Sequence, residues 1–245
     1  MKTIVKDTYD EICLWVASHI ADAINNHKGE KPFVLGLPTG STPIGVYENL
    51  IRMNREGKLS FRKVITFNMD EYVGLPESHP ESYHSFMKRY LFDHIDIDEK
   101  NINILNGNAD DLKAECENYE KRIREAGGVD LFFGGFGVDG HIAFNEPGSS
   151  FDSRTREMPL REDTRKINSR FFDNDVNQVP KTALTVGIAT ICDAKEVVIL
   201  ADKGNKAQAV YQCVKGKMST EWTCTALQKH PNTIIAATKE AACML

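Results

Sequence analysis

Several protein classes leave marks in a sequence that this one lacks. No apolar run reaches the length of a membrane-spanning helix. The opening MKTIVKDTYDEICLWV has neither the uncharged apolar core nor the small-residue cleavage site of a signal peptide. Basic residues are outnumbered, 30 Lys and Arg against 35 Asp and Glu, and the net charge of -5 argues against a nucleic-acid-binding surface. The six cysteines (Cys13, Cys116, Cys192, Cys213, Cys224 and Cys243) include no C-x-x-C pair and no zinc-ligand spacing. They read as reduced thiols of a cytoplasmic protein. No repeat, low-complexity tract or linker breaks the chain. Membrane and nucleic acid drop out as partners, and a small molecule remains.

What is present is a regular alternation. The 245 residues are 41% hydrophobic and 27% charged, enough to bury a sizeable core in one domain spanning 1–245. Ile12, Trp15, Val16, Ile20 and Ile24 recur at helical spacing between Thr8 and Asn26. PFVLGL (32–37) reads as a strand, and Pro43 suits the first position of a helix running to about Glu56. KVITFNM (63–69) is the next strand, followed by a polar loop through Pro80. A helix over 81–95, a strand at 102–105 and a charged helix over 110–125 follow. VDLFFGG (129–135), EVVILAD (196–202) and NTIIAAT (232–238) are further apolar strands, with a helix after Gly204. This pattern predicts one doubly wound, mostly parallel α/β sheet with helices on both faces. In such a sheet ligands bind beyond the carboxyl ends of the strands, so the loops at 38–42, 68–72 and 134–150 should meet in one cleft.

Each loop has a chemical and a plain reading. In LGLPTGSTP, residues Thr39, Gly40, Ser41 and Thr42 lie between a strand and a helix N-terminus. Free N–H groups and hydroxyls suit an anion there, and a turn capped by Thr42 explains the same residues. No G-K-[ST] follows, so it is not a Walker loop. TFNMDEYVGL ends a strand on Asp70 and Glu71, residues that elsewhere are solvated or cap helices; position at the strand end favours Asp70. GGFGVDGHIAFNEPGSS contains a formal G-x-G-x-x-G at Gly135, Gly137 and Gly140, but Asn145, Pro147 and Gly148 interrupt any helix after it. The match to a dinucleotide site is therefore poor, and the motif is a decoy. A metal site would have a single histidine and no H-x-x-x-H or cysteine partner. An imidazole at His141 flanked by Asp139 and Glu146 suits proton transfer, because the carboxylates raise its basicity and fix its tautomer. Acid–base chemistry on an anionic small molecule is the reading these residue types favour.

These motifs, with HPESYHSFM, SRTR, NSRFFDNDVNQVPKTALTVGIAT and CTALQKHP, resemble the glucosamine-6-phosphate deaminase family from about Phe33 to Thr233. Phosphogluconolactonases share the glycine-D-G-H loop but continue differently where this chain has IAFNEP. The resemblance implies a Rossmann-like fold of the sugar-phosphate isomerase, lactonase and CoA-transferase group. It implies conversion of glucosamine 6-phosphate to fructose 6-phosphate and ammonia in amino-sugar catabolism, with neither metal nor organic cofactor, by a homo-oligomer. Carried onto this sequence, it makes His141 the ring-opening group, Asp139 and Glu146 its supports, and Asp70 the base that moves the C2 proton to C1. The phosphate would rest on Thr39–Thr42, assisted by Arg170 and Lys206.

Some members of that family are activated by N-acetylglucosamine 6-phosphate, whose phosphate is held by a serine, an arginine and a lysine–threonine pair. Ser149 and Arg156 match, but Met158 and Pro159 stand where the pair would be. Methionine has no charge, and proline offers neither hydroxyl nor N–H. The family also usually continues past the final AACML with a further segment. The expectation is hyperbolic kinetics without effector response, unless Arg154, Arg161 or Arg165 rebuilds the anion site.

Overall fold

The apolar runs become the middle of a seven-stranded parallel sheet in a computed structural model describing residues 1–245. Its strands are β1 (Lys2–Lys6), β2 (Phe33–Leu37), β3 (Val64–Asn68), β5 (Ile102–Asn103), β6 (Leu131–Gly135), β9 (Glu196–Ala201) and β10 (Thr233–Thr238), in the order β1-β10-β9-β6-β2-β3-β5. Successive side chains enter opposite cores, as the two-residue period of a strand requires. Phe33, Leu35 and Leu37 face one side with Leu131, Phe133, Val198 and Leu200. Val34, Phe132, Val197 and Ile199 face the other.

Helices α1 (Tyr9–Asn25), α2 (Ile44–Arg55) and α3 (Tyr83–Tyr90) cover the first face; α4 (Leu112–Ala126), α6 (Ile188–Cys192) and α7 (Ala207–Lys215) cover the second. The doubly wound arrangement predicted from the alternation is the one observed. Helix α1 starts where it does because Thr8 Oγ1 accepts from the Glu11 N–H at 3.2 Å while Glu11 Oε2 accepts from the Thr8 N–H at 3.1 Å. That capping box satisfies two N–H groups a helix end leaves open.

The chain runs outward from β2 through β3 to β5, then returns to place β6 on the other flank of β2. Connections leaving β2 and β6 therefore part in opposite directions and open a crevice between them. This switch point decides where the site lies.

Three expectations need correction. Strand β1 leaves no mark in the sequence pattern, because KTIVK is a short edge strand with exposed residues among its five. The helix expected over 81–95 stops at Tyr90, where Leu91 takes φ -146 and a 3-10 turn (Phe92–His94) follows. A second, antiparallel sheet was missed altogether: β4 (Asp70–Tyr72), β8 (Thr182–Thr185) and β7 (Arg156–Pro159), in the order β4-β8-β7. Strands of three or four residues carry too few alternations to register as a period. The segment read as a polar loop after Met69 thus begins with a strand, pairing Asp70 with Thr185. Between β7 and β8 lies the remaining helix, α5 (Glu162–Asn168).

Candidate active site

All three strand-end loops line one cleft of about 680 Å³, through Pro38–Pro43, Met69–Asp70 and Phe133–Asp139 with His141. A fourth wall comes from Arg161, Asn168 and Arg170, and a fifth from Asp202 and Lys206. Catalytic and anion-binding candidates named from sequence thus fall at one opening, with Glu146 just behind it. Ser149 and Arg156 lie outside.

Asp70 is held by backbone pairing on both sides of its peptide. The Met69 N–H donates to Leu37 O at 3.0 Å, and the Val186 N–H donates to Met69 O at 2.8 Å. Only 7% exposed, its carboxyl is pushed up to about 8, first by burial and then by the charge of Glu71, against the pull of His141. Its neighbour has a different fate. Glu71 accepts from the N–H groups of Tyr72, Tyr83 and His84 and pairs with His84 Nδ1 at 2.7 Å. It fastens the start of α3, the capping role that competes with catalysis for any carboxylate after a strand.

The histidine loop is folded back on its own backbone. The Gly137 N–H donates to His141 O at 2.9 Å, bringing the imidazole against residue 137. A Cβ at Gly137 would lie 2.3 Å from His141 Cε1, so only glycine fits. That is the reason for the glycine in the decoy motif. Asp139 Oδ1 approaches His141 Nδ1 to 2.7 Å, and Glu146 Oε2 to 3.7 Å. Asp139 is thus the partner at hydrogen-bond distance, while Glu146 Oε2 lies beyond hydrogen-bond reach and is buried without a partner. Burial works against charging the ring, but Asp139, Glu146 and Asp70 outweigh it and leave the pKa of His141 raised. Asp139 is lowered in turn: burial opposes ionisation, and the imidazole overcomes it. With Nδ1 turned to the carboxylates, Nε2 is the nitrogen left for a ligand. Glu146 is itself steadied by Thr164, whose hydroxyl donates to Oε1 at 2.6 Å.

Those ligand atoms of Asp139, His141 and Glu146 lie within 4.8 Å of one another, close enough to hold a cation. The two uses are exclusive. A metal needs the Nδ1 lone pair, whereas an ion pair with Asp139 needs a proton on Nδ1.

At the other end Lys206 Nζ lies 2.8 Å from Asp202 Oδ1 and 2.9 Å from Thr42 Oγ1, while the Thr42 hydroxyl donates to Asp202 at 3.2 Å. Burial lowers the pKa of Lys206, and Asp202 partly restores it. Thr42 does not cap α2; the N–H of Gly45 donates instead to Tyr9 Oη at 3.0 Å, and Tyr9 donates to Thr42 O at 2.9 Å. Arg170 is on a 3-10 turn (Ser169–Phe171), its guanidinium 4.6 Å above the Phe171 ring. Asp202 and Tyr9 were missed from sequence. Asp202 had a usable signal, since it follows β9 as Asp70 follows β3; Tyr9 had none, being far away in the chain.

Ser149 and Arg156 do meet, with Arg156 Nη2 at 3.3 Å from Ser149 Oγ. The same guanidinium donates to Asn145 Oδ1 at 2.9 Å. Met158 and Pro159 continue along β7, opposite Ala183 and Thr182. Arg154 pairs with Asp193 and Arg165 donates to Val176 O at 2.7 Å, so both are engaged away from Ser149, and Arg161 lines the main cleft.

A family model described as glucosamine-6-phosphate isomerases/6-phosphogluconolactonase matches residues 5–236. The chain is similar to a glucosamine-6-phosphate deaminase of Parabacteroides distasonis, 60% identical over 245 residues covering 99% of this chain and 90% of the relative. One from Borreliella burgdorferi is 57% identical, covering 98% and 91%. A solved structure described as a monomeric glucosamine-6-phosphate deaminase superposes with a TM-score of 0.95 at 42% identity, covering 100% of both chains. A 6-phosphogluconolactonase from Trypanosoma brucei shares the fold, with a TM-score of 0.77 at 19% identity, covering 100% and 98%.

Proposed function

The chain belongs to the family of glucosamine-6-phosphate isomerases and 6-phosphogluconolactonases, and from that premise we infer that it converts glucosamine 6-phosphate and water to fructose 6-phosphate and ammonia. One observation carries the deaminase reading: a buried carboxyl, Asp70, raised to about 8 and opening on the same cleft as His141. A lactonase has only to direct water at an ester. An aldose-to-ketose conversion needs a base that takes a proton from one carbon and returns it to the next.

In this proposal His141 opens the pyranose, accepting the anomeric hydroxyl proton on Nε2 and returning a proton to the ring oxygen. Asp139 and Glu146 stabilise the imidazolium that forms between those two transfers. Asp70 then removes the C2 proton and delivers it to C1, while the C1 carbonyl oxygen gains a proton and the amine gives one up, turning the amine-bearing carbon into an imine carbon. Water adds to that imine, the C–N bond breaks, and ammonia leaves with C2 as a ketone. The substrate's cationic amine beside Asp70 favours its ionised form, offsetting part of the burial. Thr39–Thr42, Arg170 and Lys206 hold the phosphate. Because water is consumed and a C–N bond broken, the net reaction is hydrolytic, although the proton transfers are those of an isomerase.

The setting belongs to the same proposal: amino-sugar catabolism in the cytoplasm, by a homo-oligomer. The structural relative is described as monomeric, so sedimentation of the purified chain decides the assembly. No helix is long and apolar enough to cross a membrane. The deciding assay is ammonia release from glucosamine 6-phosphate in the presence of a chelator. Turnover there supports the reading. Activity that returns only with added metal would give Asp139, His141 and Glu146 a ligand role, and hydrolysis of 6-phosphogluconolactone without ammonia release would overturn the deaminase.

A further inference from the structure

The loop carrying His141 and Glu146 is not self-supporting. Between them Ala143 takes φ 51, a left-handed conformation that costs a residue with a Cβ about 1 kcal/mol or more. Something outside the loop must hold it there. Thr223, fully buried at the start of the 3-10 segment Thr223–Lys229, lies against both of its ends. Its hydroxyl lies 3.0 Å from Asn145 O and 3.4 Å from Gly140 O. The next N–H, of Cys224, also donates to Gly140 O, at 3.0 Å.

These two carbonyls are not arbitrary. Gly140 O belongs to the peptide unit that leads into His141, and Asn145 O to the one that leads into Glu146. One short segment more than 70 residues downstream therefore clasps the two peptide planes from which the imidazole and its rear carboxylate project, the Thr223 hydroxyl donating to Asn145 O and the Cys224 N–H to Gly140 O. We propose that Thr223 is a positioning residue for the reaction, setting the distance between His141 and Glu146 by donating its hydroxyl proton to Asn145 O while the adjoining Cys224 N–H holds Gly140 O. The inference rests on the ring-opening role given to His141 above.

The groups facing His141 are Asp139 and Glu146 from its own loop and Asp70 from β4, and together they hold its pKa up. Loosening the clasp lets Glu146 recede, and its share of that stabilisation fades. Thr223→Val keeps the shape and removes the hydroxyl; Thr223→Ser keeps the hydroxyl. The Val variant should lose roughly tenfold to a hundredfold in kcat with KM nearly unchanged, the scale of a small displacement of catalytic groups. The Ser variant should stay within about threefold of the parent, since its donor survives. In parallel, NMR titration of the His141 ring should show a lower pKa in the Val variant and the parental value in the Ser variant.

If Thr223→Val does not fold, Thr223→Ala against Thr223→Ser isolates the hydroxyl, both lacking the methyl group. Equal kcat and an equal His141 titration in the hydroxyl-free and hydroxyl-bearing variants would overturn the assignment. A parent chain that releases no ammonia would instead overturn the proposed function, and the titration would still decide whether Thr223 sets the His141–Glu146 pair.

Discussion

The two ends of the cleft treat charge in opposite ways. Around Lys206 the polar atoms close on one another: Asp202 neutralises the ammonium, and Thr42 bonds to both. Around His141 and Asp70 they are left short of partners. Glu146 Oε2 is buried without a hydrogen bond, and Asp70 is shifted by burial and charge alone. An end that only has to bind benefits from charges held still before the ligand arrives, because less order is lost on binding. An end that has to move protons must keep its groups close to changing state, and satisfied hydrogen bonds would fix one state. Adjacent residues show the contrast in miniature. Glu71 is saturated by α3, while Asp70 has been left titratable.

The severest way to break the comparison is to remove the titratable group. Asp70→Asn should lose on the order of 100- to 10,000-fold in turnover, the usual range for a positioned general base, with substrate affinity retained. Solvent exchange of the C2 hydrogen is the control. If the Asn variant exchanges it at the parental rate, the base is another residue.

The binding end should answer in KM. Lys206→Met removes a charge-assisted contact of about 1.5–3 kcal/mol, which predicts a rise in KM of roughly tenfold to a hundredfold and a nearly constant kcat. It also leaves the Asp202 carboxylate without its counter-charge beside the proposed phosphate site. Lys206→Met with Asp202→Asn should therefore bind substrate better than Lys206→Met alone. A double variant no better than the single one would show that Asp202 has no electrostatic hold on the anion site.

A smaller effect is expected in stability. The folded chain holds the Asp70 proton up to a pH of about 8, above the range in which the unfolded chain releases it. Its contribution is therefore fully present below the unfolded value and lost as pH rises through about 8. Asp70→Asn, which never ionises, should melt higher than the parent, with the gap widening from acid toward about pH 9. A gap that is constant with pH would mean the carboxyl is not perturbed in the fold.

The smallest expected effect is none. N-acetylglucosamine 6-phosphate should leave the rate curve hyperbolic and unmoved. Met158 and Pro159 follow Arg156 along β7 and offer neither charge nor hydroxyl, and Arg154 and Arg165 are engaged elsewhere. A sigmoidal curve that the effector straightens would show that the anion site survives without the lysine–threonine pair.

Much of this fold is legible in the sequence. The apolar runs marked the central strands, because residues buried on both faces leave no polar alternation. Alternation with amphipathic helices implied a doubly wound sheet, and the rule that ligands sit beyond carboxyl strand ends picked the three loops that line the cleft. Local composition was enough for these. The second sheet was illegible for the converse reason. Residues 70–72, 156–159 and 182–185 are too short to show a period and pair only with each other, far apart in the chain.

Residue types and order along the chain determined the central strands and the helices that alternate with them, the side of the sheet that would bind, and the clustering of Asp139, His141 and Glu146 in one glycine-rich loop. Tertiary structure alone decided which carboxylates stay reactive. Strand-end position favoured Asp70 over Glu71, but only the docking of α3 onto Glu71 shows why the neighbour is spent on structure. It alone brought Asp202 to Lys206 and Thr42, Tyr9 behind the anion loop, and Thr223 across the ends of the histidine loop. Periodicity and turn chemistry act between near neighbours and can be read in order. Burial and charge act between whatever residues the fold brings within a few ångströms, so they exist only once the chain has closed on itself.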